Sequence, residues 1–243
     1  MSLKSIFLLA VPLFCNCGGN NPLSPLELIN EFNLSIPEPS GLTLGKNKQS
    51  LWVVNDPPNN EIYEITLEGA VIRKLSFKGD DLEGVTYDSD NDVLWVAEEQ
   101  KREVLQIALD GTVLTRRAVN VDNSKDQGLE GIFLSRTGTL WVVNEKKPGR
   151  LISLNTNFQI DGEFPLNFAK DYSGLCQAEN ERQIWIISDE SEKLVLWDKD
   201  SGVKKMYELP FKKAEGVAVD SAQNLVYIVS DSEEKLYIFR LGH

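Results

Sequence analysis

One sequence unit recurs five times from residue 38 onward, and this repetition constrains the fold more than any other feature of the chain. Each unit begins with a short turn, a glycine and an apolar run, as in Leu82-Glu83-Gly84-Val85. The five glycines are Gly41, Gly84, Gly131, Gly174 and Gly216. Successive glycines are 42 to 47 residues apart, and a repeat of about 20 to 50 residues is typical of solenoids and propellers.

An aromatic residue lies about ten residues after each glycine, in a second apolar run. These residues are Trp52, Trp95, Trp141, Trp185 and Tyr227. A third apolar run and a more polar fourth run complete the unit, with turns such as Glu68-Gly69 between them. Four short strands in about 40 to 45 residues predict an all-β, five-bladed β-propeller, with the aromatic residues in the core between blades. A β-sandwich, the alternative fold, would not require the same glycine and aromatic residue at matching positions.

The fifth unit lacks a fourth strand, because the chain reaches His243 shortly after the third apolar run, Leu236-Tyr237-Ile238-Phe239. A spare strand-forming segment, residues 27–35, precedes the first unit. We predict that this segment pairs with the fifth unit, completes its sheet and closes the ring without an open edge.

The first seventeen residues carry the features of a secretion signal. Lys4 precedes an apolar stretch at residues 6–14, which is too short to span a bilayer. We predict a lipoprotein signal peptide at residues 1–16, a lipidated Cys17 with a flexible tether at residues 17–25, and the propeller at residues 26–243. Cys15 is the alternative lipidation position, and an ordinary cleaved signal peptide is the alternative to lipidation. A lipid anchor would hold the protein on a membrane of the cell envelope.

Charge and histidine content argue against nucleic-acid binding and against nucleophilic catalysis with a histidine base. The formal net charge is −12, so the protein repels nucleic acids and attracts cations. The only histidine of the sequence is His243, which leaves a Ser-His or Cys-His nucleophilic site without a realistic base. Cys176 lies in an apolar run, and we predict that it is a buried, inert thiol.

Two sets of residues are expected at one end of the central channel, because the first two strands of a blade form a hairpin. The residues before the glycines are Ser40, Glu83, Glu130, Ser173 and Glu215. The residues four positions after the aromatics are all acidic: Asp56, Glu99, Glu145, Asp189 and Asp231. We predict that the second set forms local ion pairs with basic residues of the turns, such as Lys101, Arg102, Lys146 and Lys147.

The first set would concentrate negative charge at the channel unless protons or a cation offset the repulsion. Ca²⁺ suits this environment, because it takes six to eight oxygen ligands in loose geometry. Zinc is disfavoured, because the set offers neither histidine nor cysteine. In a purely structural alternative, these glutamates accept hydrogen bonds from backbone N–H groups at the strand starts.

Several motifs of the units together resemble the bacterial SdiA-regulated family. They are Pro37-Glu38-Pro39-Ser40, Asp81-Leu82-Glu83-Gly84, Gly128-Leu129-Glu130-Gly131-Ile132, Asn144-Glu145-Lys146-Lys147-Pro148, Ser173-Gly174 and Ala214-Glu215-Gly216-Val217-Ala218. The resemblance implies a five-bladed propeller in the cell envelope, with no established activity and with calcium in the channel. Carried over by motif, the metal ligands are Glu83, Glu130, Glu215 and Glu38.

Two functions remain open at this stage. The first is a Ca²⁺-binding propeller, anchored to the envelope, that acts as a binding or interaction module for an unidentified protein or small-molecule ligand. The alternative is a metal-dependent hydrolase of lactones or phosphate esters with its metal in the channel.

Overall fold

Short alternating runs of apolar and polar residues form strands throughout the computed structural model, which describes residues 26–121, 128–145 and 149–242. The described residues form twenty strands in five four-stranded antiparallel sheets, the blades of a β-propeller. The first strand is β1 (Leu26–Asn33). Blade 1 consists of β2 (Pro39–Leu44), β3 (Leu51–Asn55), β4 (Glu61–Ile65) and β5 (Val71–Lys78), with a 3-10 turn at Lys46–Lys48.

The remaining blades repeat this arrangement. Blade 2 consists of β6 (Leu82–Asp88), β7 (Val93–Glu98), β8 (Glu103–Ala108) and β9 (Val113–Ala118). Blade 3 consists of β10 (Leu129–Leu134), β11 (Leu140–Asn144), β12 (Arg150–Leu154) and β13 (Ile160–Pro165). Blade 4 consists of β14 (Leu175–Gln177), β15 (Gln183–Ser188), β16 (Lys193–Asp198) and β17 (Gly202–Glu208). Blade 5 contains β18 (Ala214–Asp220), β19 (Leu225–Ser230) and β20 (Lys235–Leu241).

The N-terminal strand completes blade 5, as the sequence predicts. Strand β1 pairs antiparallel with β20, with Leu28 opposite Phe239 and Phe32 opposite Leu236. The fifth sheet therefore has the strand order β1-β20-β19-β18. Its four strands come from both ends of the described chain, so this pairing closes the ring.

The repeated glycine has a steric cause at the centre of the ring. A Cβ added to Gly84 would lie 2.5 Å from the Glu130 carbonyl oxygen, and one added to Gly131 would lie 2.5 Å from the Ser173 carbonyl oxygen. The same close approach to the next blade occurs at Gly41, Gly174 and Gly216. Only a residue without a side chain permits this contact. The five glycines together line a neck in the channel with a volume of about 10 Å³.

Apolar side chains of neighbouring blades form the core, and the repeated aromatic position contributes to it unequally. Trp52, Trp185 and Tyr227 are 1%, 5% and 3% exposed, which agrees with the predicted place between blades. Trp95 and Trp141 are only partly buried. Within the described ranges, no helix has the length and apolar character that crossing a bilayer requires.

Candidate metal site at the channel mouth

Irregular pairing at the start of the inner strands positions the residues that precede the glycines. The register between the first two strands of a blade shifts between Leu82 and Gly84, and between Leu129 and Ile132. A β-bulge of this kind re-aims a side chain out of the regular alternation. Glu83 and Glu130 lie at these two shifts, at the end of the channel that we call the mouth. A matching shift spans Ala214 to Val217 and includes Glu215.

Five carboxylates from blades 2 and 3 converge at one side of the mouth. Asp81, Glu83 and Glu99 form one group, in which one oxygen of each residue lies within 4.8 Å of the others. Glu99, Glu130 and Glu145 form a second group with the same spacing. Because Glu99 belongs to both groups, they form one continuous set of acids, which we call the carboxylate cluster.

Burial dominates the electrostatics of the carboxylate cluster. Desolvation raises the pKa of Glu130 well above its usual 4.5, and the charges of Glu99 and Glu145 raise it further. Desolvation and the charge of Glu130 likewise raise the pKa of Glu83. Burial and the contact with Asp81 raise the pKa of Glu99 to about 7. The cluster therefore opposes full ionisation at neutral pH in the absence of a compensating positive charge.

An unpartnered oxygen points to the same requirement. Oδ2 of Asp81 is buried and has no hydrogen-bond partner in the part of the chain that the structure describes, which is costly for a polar atom and more so for a charged one. Oδ1 of Asp56, in the neighbouring blade, is in the same condition. Burial raises the pKa of Asp56 to about 6. This part of the mouth therefore contains more acceptor oxygens than donors.

Glu215, in blade 5, lies outside the carboxylate cluster, although its charge helps to raise the pKa of Glu83 and of Glu130. Its nearest positive charge is the Lys213 ammonium, whose Nζ lies 3.9 Å from the Glu215 carboxylate and 2.6 Å from Asp189. Burial raises the pKa of Glu215 and the charge of Asp189 raises it further, whereas Lys213 lowers it. A lysine thus already supplies part of the compensation at Glu215.

The fourth residue implied by the family motifs, Glu38, is exposed and has a positive φ of 48°. Its carbonyl oxygen accepts a hydrogen bond from the Asp56 N–H at 3.0 Å. Glu38 and Glu215 both lie outside the two groups of carboxylates. The structure therefore brings Glu83 and Glu130 together with Asp81, Glu99 and Glu145. Metal ligation by Glu38 and Glu215 stays a prediction.

The second acidic set has mixed roles. Asp189 forms an ion pair, but with Lys213 from the next inter-blade connection rather than from its own turn. Lys101 binds Asp80 at 3.0 Å and Glu98 at 3.7 Å, while Glu99 joins the carboxylate cluster. Lys146 and Lys147 lie outside the described residues. The sequence already indicated that Glu99 and Glu145 could lie near the residues before the glycines, because the first two strands of each blade form a hairpin.

The two units with serine before the glycine use that position to join blades. The Ser40 hydroxyl donates to the Leu82 carbonyl oxygen at 2.6 Å, and the Ser173 hydroxyl donates to the Ala214 carbonyl oxygen at 3.1 Å. Both serines are buried. The serine hydroxyls at this position therefore link neighbouring blades, and acidic side chains directly before the glycine occur only in the units with glutamate.

Fold and site together define a five-bladed β-propeller with buried carboxylates at one mouth of its channel. The chain belongs to the SdiA-regulated family, whose family model matches residues 32–240. Among solved structures, glutaminyl cyclase from Myxococcus xanthus is 13% identical with a TM-score of 0.69, over 89% of this chain and 96% of that chain. Virginiamycin B lyase from Staphylococcus aureus is 22% identical with a TM-score of 0.52, over 88% of this chain and 70% of that chain. At these identities the two likenesses concern the fold alone.

Proposed function

We propose that the protein is a Ca²⁺-binding propeller, anchored to the cell envelope by a lipid on Cys17, that acts as a binding or interaction module. The observation that carries the metal proposal is the pair of three-carboxylate groups that share Glu99. Its partners would be the membrane, through the anchor, and an unidentified protein or small-molecule ligand.

The donor set fits calcium. All candidate ligands are carboxylate oxygens, the donor type that Ca²⁺ prefers, and the cluster lacks the nitrogen and sulfur donors typical of zinc sites. Asp81, Glu83, Glu99, Glu130 and Glu145 would hold the ion. When bound, Ca²⁺ supplies the positive charge that lets these buried carboxylates ionise together, and it can also polarise an oxygen of a ligand.

The channel favours binding at its mouth over passage of a ligand through it. The glycine neck has a volume of about 10 Å³, which is about the space that one water molecule needs. A ligand would therefore contact the mouth from outside. The glutamates at the mouth would offer this ligand negatively charged groups, and Lys213 would offer it a positively charged one.

Anchoring is supported by the sequence of residues 1–25, which lie outside the described residues. Lys4, the short apolar stretch and Cys17 together favour a lipoprotein signal. The anchor would fix the propeller at a membrane without requiring a spanning segment.

The hydrolase alternative shares the same metal but requires a base. The only histidine of the present sequence is His243, which lies outside the described residues. A carboxylate of the mouth would have to take that role here. No observation favours this chemistry over binding, so the binding module is the proposed function.

Titration calorimetry with Ca²⁺ tests the proposal on the wild type, on Glu130→Gln and on the control Glu68→Gln, whose side chain is exposed in an outer turn. We expect binding heat for the wild type and the control, and at least a tenfold weaker affinity for Glu130→Gln. Absence of both heat and a melting-temperature change in the wild type would refute the metal site. A hydrolase screen with lactones and phosphate esters on the Ca²⁺-loaded protein then separates the two functions.

A further inference from the structure

A cleft of about 390 Å³ opens between blades 2 and 3, on the side of the ring opposite the carboxylate cluster. The turn between β6 and β7, the turn between β10 and β11, and the outer turn of blade 3 form its walls. Trp95 and Gln106 lie side by side in one wall, and Arg136 lies in the facing wall. This volume falls within the range of about 300 to 1,000 Å³ that is typical of small-molecule sites.

Blade 1 shows one way in which the tryptophan at this position is covered. Trp52 pairs across the sheet with Glu64, and Glu64 pairs with Arg73. The Arg73 guanidinium lies 5.0 Å from the centre of the Trp52 ring, and its Nε donates to Glu64 at 2.7 Å. With this cation over its face, Trp52 is 1% exposed.

Blade 2 lacks this arginine, and the Trp95 ring instead packs at a tilt against the Phe158 ring of blade 3, with the ring centres 5.5 Å apart. The residues at the corresponding positions are Gln106, opposite Trp95, and Thr115, opposite Gln106. Thr115 is too short to reach over the indole, and Trp95 remains partly exposed. Nε1 of Trp95 is buried and has no hydrogen-bond partner among the described residues. The Gln106 side chain likewise makes no hydrogen bond within the described ranges, although it stands beside the indole.

The polar groups around the cleft are of mixed charge. Arg136 is held by a hydrogen bond from Nη1 to the Glu179 carbonyl oxygen at 2.7 Å, and Asp90 lies on the opposite wall. The carboxylate that holds the guanidinium in blade 1 is replaced here by a neutral amide. Asp88 also lines the cleft, so two acidic groups and one guanidinium surround it. A neutral polar ligand can use both the donors and the acceptors of this lining.

We propose that this cleft binds a small neutral saccharide, with one face of the sugar ring against Trp95 and its hydroxyl groups on Gln106 and Arg136. The C–H groups on one face of a pyranose ring suit an aromatic surface. The amide and guanidinium groups provide both acceptor and donor atoms for adjacent hydroxyls. The proposal does not depend on the carboxylate cluster, which lies at the other end of the channel.

The test uses ligand-observed NMR with glucose, galactose, N-acetylglucosamine and their disaccharides, together with arginine as a cationic competitor. The variant Gln106→Glu/Thr115→Arg copies the blade 1 arrangement and should cover Trp95. We expect saccharide binding by the wild type and at least a tenfold loss of affinity in this double variant. Its melting temperature should not fall, because the introduced pair already exists in blade 1.

A single variant protects the test against misfolding of the double variant. Gln106→Ala removes only the amide and should weaken saccharide binding severalfold. Glu68→Gln, in an exposed outer turn of blade 1, should leave the saccharide affinity unchanged. The proposal is overturned by a wild type that binds none of the sugars, by binding of arginine alone, or by equal saccharide affinity in the wild type and both Gln106 variants.

Discussion

Glu99 and Glu130 belong to neighbouring blades, yet one oxygen from each lies within 4.8 Å of the other. Glu99 follows the second strand of blade 2, and Glu130 precedes the glycine of blade 3. The contact thus links a turn of one unit to the first strand of the next. It places two buried acids across an inter-blade boundary, where their repulsion opposes closure of the ring unless a proton or cation lies between them.

The first prediction concerns Glu99→Gln. Because Glu99 belongs to both carboxylate groups, its loss should weaken Ca²⁺ binding at least as much as the loss of any other single ligand. Without Ca²⁺ the same change should raise the melting temperature, since a buried charge is replaced by a neutral side chain of similar shape. Differential scanning fluorimetry with EDTA and with Ca²⁺ measures both effects, and Glu68→Gln is the control. A variant that is less stable than the wild type in EDTA would contradict this account.

The second prediction is a pH dependence of stability in EDTA. A carboxyl whose pKa is raised by folding binds more protons in the folded state than in the unfolded state. The free energy of unfolding therefore falls as the pH rises from the unfolded-state pKa to the folded-state pKa. The interval runs from 4.5 to about 7 for Glu99 and from 3.8 to about 6 for Asp56. We therefore expect the melting temperature to fall between about pH 4 and 7.

Other carboxyls act outside this interval. Hydrogen bonds hold the pKa of Asp198 and of Asp110 below 3.8, so their contribution to stability is lost only at more acidic pH. Saturating Ca²⁺ should reduce the fall in melting temperature above pH 4.5, because the ion compensates the negative charge of the ionised carboxylate cluster. Circular dichroism melts across this range, with EDTA and with Ca²⁺, provide the measurement. A melting temperature that rises from pH 5 to 7 in EDTA would contradict the assignment.

The fold was largely predictable from the sequence, whereas the composition of the site was not. The repeated glycine and aromatic positions predicted five blades, and the spare segment near residue 30 predicted the strand that closes blade 5. Both follow from periodicity, which is a local property of the chain. Glu130 and Glu83 were also recognisable, because they immediately precede inner-strand glycines.

The remaining site residues depend on the relative placement of blades, which periodicity does not specify. Glu99 joins the cluster because the end of β7 faces the next blade, while Lys213 reaches Asp189 from a connection 24 residues later. Trp95 likewise packs against Phe158 of the next blade. Hairpin adjacency within one unit places Glu99 at the correct end of the channel, but it does not reveal these contacts between blades.

The third prediction concerns closure of the ring by β1. Deletion of residues 1–33 removes the outer strand of blade 5 and exposes an edge of β20, so the melting temperature should fall strongly. Deletion of residues 1–25 leaves β1 in place and is the matched control. Thermal melts of the two truncated proteins test this expectation, and equal melting temperatures would contradict it.

The fourth prediction concerns the lipid anchor. Cys17→Ser should abolish incorporation of a labelled fatty acid and release the protein from membranes, whereas Cys15→Ser should retain both. Metabolic labelling and membrane fractionation in the native host measure the outcome. Labelling that is lost only in Cys15→Ser would assign the anchor to Cys15, and labelling absent from the wild type would favour an ordinary signal peptide.

The fifth prediction concerns the glycine neck. Gly84→Ala would place a Cβ 2.5 Å from the Glu130 carbonyl oxygen and 2.9 Å from the Ile132 nitrogen. Both atoms belong to the backbone of the next blade, so relief requires the blades to move apart. We expect a loss of about 1 to 3 kcal/mol in the free energy of unfolding, the usual cost of overpacking.

Gly162→Ala is the matched control for this effect. Its added Cβ would meet only side-chain atoms, the nearest being Ser153 Oγ at 3.0 Å, and these can adjust without a shift of the backbone. Urea denaturation of both variants gives the comparison. We expect Gly84→Ala to be the less stable of the two variants, because its clash lies between blades at the narrowest part of the channel. The resulting displacement would also separate Glu83 from Glu130 and weaken Ca²⁺ binding. Equal stability of the two variants would show that the neck tolerates a side chain.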